Sequence, residues 1–258
     1  MNQNQPKITI ITVVRNAADE LRKTIISIID QDYPNLEFIL VDGGSTDGTL
    51  EVIKAYAARI TWWISEPDHG IYDAMNKGLA KATGDWVNFM NAGDMFVEND
   101  VVSRVMASDL DGFGVVYGDS IAAYPRANVF KKAGPPEEMV HGMVFCHQAA
   151  FIRRELIGDD GFDLSYPIGA DFKIFFGLFS AGCRFKHLSF PIAIFDTTGT
   201  SNLKMVQSAM EHFAVVRLYR KLSFAESLHH YRFICWVSMV SAGYRVLPDG
   251  VVRWIRGR

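Results

Sequence analysis

ITIITVVRN (residues 8–16), EFILVDGGSTDGT (37–49) and WVNFMNAGD (86–94) share one pattern: an apolar, often β-branched run that breaks into a polar turn. Such runs read as buried strands, here Ile8–Val13, Glu37–Val41 and Trp86–Met90. Ile60–Ser65 is a fourth, followed by the polar stretch Glu66–Asp73. Helical spacing fills the intervals: Leu21, Ile25, Ile28 and Ile29 within Ala18–Asp30, then Thr49–Ala58, then Ile71–Ala82, which stops at Thr83-Gly84. Strands alternating with helices predict an α/β fold with a mainly parallel sheet and right-handed crossovers. Ligands of such sheets bind outside the carboxyl ends of the strands. Thr12–Asn16, Asp42–Asp47, Glu66–Asp73 and Asn91–Asp94 all fall at that edge.

The second half is less regular. Val115–Asp119, Asn128–Lys132 and Ala149–Arg153 read as strands, and Phe172–Ala181, Ser201–Tyr219 and Phe224–Leu247 as helices. At 258 residues, 49% apolar and 21% charged, the chain suits one large α/β domain or one domain plus an appendage. A net charge of −3 gives no global field for nucleic acid. The balance is uneven: residues 204–258 hold nine Lys/Arg against three Asp/Glu, a net of +6, which leaves −9 for residues 1–203. Cys146, Cys183 and Cys235 are odd in number and widely spaced, so neither a disulfide framework nor a zinc knuckle is expected, and a reducing, cytoplasmic setting is. No signal peptide is read at the start. The apolar stretch Phe233–Leu247 is too short and too charged for a confident membrane span.

Each polar residue at the sheet edge has a chemical reading and an ordinary one. Asp94 can hold Mg²⁺ or Mn²⁺ whose other ligands come from phosphates and water, or it can cap a turn. Asp42 can accept hydrogen bonds from a ribose or base, or form an Asx-turn; Gly43 and Gly44 beside it allow close backbone approach. Asp68, His69 and Asp73 surround a helix start that favours a diphosphate, although Asp73 suits a cap equally well. Asp171 can act as a general base or as an N-cap, and local sequence favours the cap. His147 and Gln148 lie in an apolar stretch and read as structural. No G-x-G-x-x-G or G-x-x-x-x-G-K-[ST] sequence is present. The C-terminal Arg217, Arg220, Lys221, Arg232, Arg245, Arg253, Arg256 and Arg258, with Tyr231, Phe233, Trp236 and Tyr244, fit either an interfacial helix on anionic lipid or a packed hairpin with a basic face.

ITVVRN (11–16), VDGGSTDGT (41–49), SEPDHGIYDAMNKGLAKAT (65–83) and NAGD (91–94), taken in order, resemble family 2 glycosyltransferases of the GT-A fold. Cys146-His147-Gln148, followed by an apolar strand ending in Arg153-Arg154, resembles members that build bacterial surface polysaccharides. The resemblance spans about residues 7–202. It implies a GT-A, Rossmann-like catalytic domain over 1–203, while the basic, aromatic composition of 204–258 reads as a C-terminal helical extension suited to a membrane surface. It implies that Thr12, Arg15 and Asn16 line a nucleotide site, that Asp42 holds the uracil or ribose, and that Asp73 and Lys77 lie near nucleotide and sugar. Asn91 and Asp94 would stand at the metal motif, with Asp94 the ligand of Mg²⁺ or Mn²⁺, and Asp171 would be the catalytic base.

Three departures are visible. Asn91 replaces an acidic residue, Ala170 replaces the Glu usual before the base, and FDTTGTS (195–201) stands where many relatives have Gly-Gly-x-Ser. The implied activity is inverting transfer from a nucleotide-sugar donor, by resemblance a UDP-sugar, to a glycan or lipid-linked saccharide at the inner face of the cytoplasmic membrane. Two rival expectations are a degenerate nucleotide-sugar-binding scaffold and a sugar nucleotidyltransferase. The second lacks its glycine-rich N-terminal loop here.

Overall fold

Strand alternation in the sequence becomes two apolar layers. In β1 (Ile8–Val14), Ile8, Ile10 and Val14 join one layer, and Ile11 and Val13 the other. β2 (Leu36–Asp42) divides the same way, with Phe38 and Leu40 on the first face and Ile39 and Val41 on the second. The computed structural model describes residues 5–197 and 204–246, without the side chains of 242–246. Residues 198–203 of the predicted helix start and of FDTTGTS lie outside the described residues. So do Leu247, Arg253, Arg256 and Arg258, and the side chains of Tyr244 and Arg245.

The chain continues through α1 (Ala18–Ile29), α2 (Thr49–Tyr56), β3 (Trp62–Ser65), α3 (Ile71–Leu79), β4 (Trp86–Phe89), β5 (Met95–Phe96) and α4 (Val101–Met106). Then come β6 (Val115–Tyr124), β7 (Ala127–Lys131), β8 (Ala150–Arg153), α5 (Ala170–Ser180), β9 (Phe185–Asp196), α6 (Met205–Tyr219) and α7 (Phe224–Val246). The first apolar layer lies under α1, α2 and α4 through Leu21, Ile25, Ile53 and Val105. The second lies under α3, α5 and α6 through Met75, Phe172, Phe176 and Val216. A sheet covered on both faces is the setting in which parallel strands are stable.

The strand order is β3-β2-β1-β4-β8-β6-β9-β5, with β7 paired to β6. β3, β2, β1 and β4 are mutually parallel. Beyond β4 the pairings are antiparallel except that of β6 with β9. The chain runs from β1 out to β3 on one side and then returns to place β4 on the other. The strand order therefore reverses between β1 and β4, and a crevice at their carboxyl ends is the expected ligand position. The two ends are clasped there: Thr12 Oγ1 donates to the Met90 carbonyl (2.7 Å) and Ala92 N–H to the Val13 carbonyl (3.1 Å).

β9 carries no strand expectation, and Pro191 lies within its run. The sheet accommodates the proline where the β6–β9 register shifts around Asp119, an irregularity that removes the need for a ladder donor. At the opposite edge, buried Glu37 accepts hydrogen bonds from Lys7 Nζ (2.6 Å), Thr9 Oγ1 (2.6 Å) and the Thr83 N–H (2.8 Å). Burial raises the Glu37 carboxyl, but these bonds outweigh it and draw it down to about 2. This carboxylate ties strands together away from the crevice. α6 packs along α5, with the His212 ring 4.2 Å from that of Phe172, and α7 returns over α6 through a Phe213–His230 stack at 4.8 Å.

Candidate active site

The turn after β2 is built around Asp42. Its side chain is fully buried and accepts from the Ser45 N–H (3.1 Å) and from Ser65 Oγ (2.6 Å) on β3. Ser45 Oγ in turn accepts the Asn16 N–H (2.7 Å), while Asn16 Oδ1 accepts the Thr46 N–H (2.8 Å). Asn16 adopts φ +51°, a left-handed conformation that Asn tolerates better than most residues. The turns after β1 and β2 are thus bonded into one surface. Thr12 is wholly buried within it, as a strut. Gly43 gives Asp68 room: a Cβ at residue 43 would lie 2.0 Å from Asp68 Oδ2 and 3.5 Å from Arg15 Cβ. Arg15 is exposed beside this point and makes no ion pair to another described residue.

At the start of α3, Asp73 Oδ2 accepts the His69 N–H (2.9 Å), which closes the 66–70 loop in the manner of a capping box. Lys77, one turn on, reaches back to Glu66 (2.8 Å), the Pro67 carbonyl (2.9 Å) and Asp73 (3.7 Å). The bond to Glu66, then the nearby acidic charges, hold its ammonium above the ordinary lysine value.

The turn after β4 is the most enclosed part. Asp94 is 5% exposed; its Oδ1 accepts the Asp196 N–H (2.9 Å) and its Oδ2 accepts Gln148 Nε2 (2.6 Å). Burial dominates there and lifts the carboxyl to about 6 despite both bonds. Asn91 Nδ2 lies 3.3 Å from His147 Nε2, and Asn91 Oδ1 is buried with no hydrogen-bond partner among the described residues.

Asp171 lies in the first turn of α5, one residue inside its start. The N-cap is Gly169, so the capping expectation for Asp171 is not met. Its Oδ1 accepts the Phe172 N–H (2.8 Å) and lies 2.8 Å from Tyr72 Oη, whose one proton it shares with the Ile168 carbonyl (2.6 Å), and its Oδ2 lies 3.0 Å from His147 Nδ1. Burial raises this carboxyl, but the bond and charge of His147, with Tyr72, outweigh it and leave it below the usual carboxylate range. Burial lowers His147, and Asp171 and Asp94 reverse that to a net rise. The groups form one chain across the crevice: Asn91, His147, Asp171, Tyr72. Sequence reading set His147 and Gln148 aside as structural and did not single out Tyr72. The signals were two polar side chains in an apolar stretch and the resemblance carried by Cys146-His147-Gln148, and neither names partners so distant in sequence.

These residues make a poor cage for a resident cation. Asn91 Oδ1 is an orphan oxygen of the right kind, but both oxygens of Asp94 are engaged inside the protein. No group of three or more His, Cys, Asp or Glu is placed to hold a metal among the described residues. Asp94 and the Asn91 oxygen would therefore supply only one or two ligands to Mg²⁺ or Mn²⁺, with the rest coming from the donor's phosphates and water.

The family model for glycosyl transferase family 2 matches residues 9–161. A PGL/p-HBAD biosynthesis glycosyltransferase of Mycobacterium bovis is 36% identical over 183 residues, covering 68% of this chain and 70% of the relative. An uncharacterized glycosyltransferase of Mycobacterium tuberculosis is 31% identical over 207 residues, covering 76% and 78%. Among solved structures, the mannosyltransferase PcManGT of Pyrobaculum calidifontis, in complex with GDP-Man and Mn²⁺, superposes with a TM-score of 0.67 at 21% identity, over 90% of this chain and 70% of that one. TarS 1–349 of S. aureus, in complex with UDP, gives 0.66 at 17% identity, over 88% and 70%. Those two likenesses establish the GT-A fold, and the sequence matches establish the family: the chain belongs to glycosyl transferase family 2.

Proposed function

We propose that this chain is an inverting transferase that moves a sugar from a nucleoside-diphosphate donor, with uridine diphosphate the favoured carrier, to a hydroxyl of a glycan or lipid-linked saccharide in bacterial polysaccharide assembly. The observation that carries the proposal is Asp171, ionised and fixed on two sides, bonded through His147 to the turn at the β1–β4 switch point. Thr12, Asn16 and Asp42 shape the nucleotide wall. Arg15 is the exposed cation for the diphosphate, and Asp73 and Lys77 close the adjacent side. The complexes with GDP-Man, UDP and UDP-GlcNAc formed by the structural neighbours support a nucleotide-sugar ligand here.

The chemistry is a single displacement. Asp171 accepts the proton of the acceptor hydroxyl as that oxygen bonds to the anomeric carbon from the face opposite the leaving group. The bond from the anomeric carbon to the diphosphate oxygen breaks, and the nucleoside diphosphate leaves with its electron pair. A divalent cation bound with the donor would be held by Asp94 and Asn91 and would offset the charge on the leaving diphosphate.

Thermal unfolding against a panel of nucleoside diphosphates tests the reading. A ligand at about 100 times its Kd adds about 2.7 kcal/mol, which corresponds to roughly 5–10 °C for a chain of this size. One nucleoside diphosphate is expected to give such a shift, and Mn²⁺ alone none. No shift with any nucleotide would refute the donor assignment, and a shift with Mn²⁺ alone would refute the reading of Asp94.

α7 supports a membrane-facing role. Phe224 (84%), Met239 (67%), Trp236 (55%) and Tyr231 (54%) are exposed beside Arg232, with Arg220 and Lys221 at the preceding turn. An exposed aromatic face flanked by basic residues suits an anionic lipid surface. No helix among the described residues is long and apolar enough to cross a membrane. Vesicles containing anionic phosphatidylglycerol are expected to sediment the protein, and Trp236→Ser with Met239→Ser to weaken this several-fold, about 1 kcal/mol or more. Equal sedimentation of both proteins would remove α7 from the account.

A further inference from the structure

Asp171 as a base raises a problem that its surroundings answer. A carboxylate on a mobile side chain beside open solvent presents its lone pairs in many directions, and positioning is a large part of catalysis. Here each oxygen is pinned by groups from different elements. Tyr72 Oη reaches Oδ1 from α3, and His147 Nδ1 faces Oδ2 from the short 3₁₀ turn His147–Ala149 ahead of β8. That turn is anchored in its own right. Gln148 Nε2 donates to Asp94 (2.6 Å), Cys146 Sγ donates to Gln148 Oε1 (2.6 Å), and Asn88 Nδ2 donates to the Gln148 carbonyl (2.8 Å).

We propose that His147 is a positioning residue whose imidazole locks Asp171 to the turn after β4, so that the donor-side turn and the base keep one fixed separation. The inference rests on the glycosyltransferase reading above. With its proton on Nδ1, His147 donates to Asp171 Oδ2, and its Nε2 lone pair accepts from Asn91 Nδ2 at 3.3 Å. This tautomer uses both ring nitrogens at once. A histidine serving only to fill space would need neither contact.

The two contacts can be removed separately. The amide nitrogen of Asn, counted from Cβ, stands where Nδ1 of His does, and the terminal amide of Gln stands where Nε2 does. His147→Asn therefore keeps the donor to Asp171, whereas His147→Gln removes it and, with its amide oxygen turned to the Nε2 position, still accepts from Asn91 Nδ2. Asp171 also faces Tyr72 from α3 and His212 from α6, while Glu211 of α6 binds the Ile168 and Gly169 N–H groups just before it; all are intact in both variants.

The assay is release of sugar to water from the nucleotide sugar whose diphosphate passes the thermal panel. His147→Asn is expected to lose less than about tenfold in kcat. His147→Gln is expected to lose about 100-fold, with the acid limb of its kcat profile raised, since burial of Asp171 is then less opposed. Nucleoside-diphosphate affinity stays within about threefold in both. Equal losses with an unchanged acid limb, or two active variants, overturn the proposal. Asp171→Asn in the same assay separates the cases: if it too stays active, the base assignment fails, not the His147 one alone. Should either variant not fold, ¹⁵N spectra of the wild-type imidazole decide. A proton on Nδ1 supports the proposal, and a bare Nδ1 with the proton on Nε2 overturns it.

Discussion

Asp171→Asn is expected to reduce sugar transfer by about 10²- to 10⁴-fold while nucleoside-diphosphate binding changes little. The substitution is isosteric and leaves an oxygen to accept from Tyr72 and the Phe172 N–H, so α5 keeps its start. What is lost is basicity: an amide cannot take the acceptor's proton. Asp171 is held below the ordinary carboxylate range by His147 and Tyr72 against the effect of burial, so it is ionised throughout neutral pH. Asp171 itself should accordingly contribute no acid limb to the wild-type kcat near neutrality. Near-wild-type turnover in the variant would remove Asp171 from the chemistry. The measurement is kcat and nucleotide Kd on the same preparation.

Asp94→Ala should strongly destabilise the crevice. It leaves Gln148 Nε2 and the Asp196 N–H buried without their acceptor. At roughly 1–3 kcal/mol for each such group, the loss is about 2–6 kcal/mol, a large share of a typical domain's stability. Activity falls with it, because the His147–Ala149 turn is released from the Asn91 turn. Urea unfolding measures the first effect and donor turnover the second. The pH dependence has a definite sign. Burial lifts the Asp94 carboxyl from 3.8 to about 6, so the folded state binds the proton more tightly than the unfolded chain. Its contribution to stability is complete below about pH 3.8 and is lost as pH rises to about 6. Asp94→Asn, which cannot ionise, should lack that slope. An Asp94→Ala protein as stable as wild type would show that the carboxylate does not brace the turn.

The first four strands and their polar turns were legible because their physics is local: β-branched runs, glycine and proline punctuation, and helical spacing between them. The gathering of Asp42, Asn16, Asn91 and Asp94 at one edge followed from that alternation. Pro191 argues against a strand at β9, and only pairing with β6 shows where the sheet tolerates it. His147 was hidden for a different reason. Its partners, Asn91 and Asp171, come from other elements, and neither is implied by the residues beside it. Asp171 shows the same limit from the other side. At a helix start, local propensity speaks for a cap, whereas Gly169 caps the helix and Asp171 turns to Tyr72 and His147.

The most direct test of the central claim, a single displacement with Asp171 as base, is the anomer first released. A nucleoside-diphosphate sugar with an α linkage is incubated with the protein and with Asp171→Asn, and the fresh sugar is followed by ¹H NMR before mutarotation. The account predicts that the wild type releases the β anomer first and that the variant falls to background. Initial release of the α anomer, or equal release by both proteins, would contradict it.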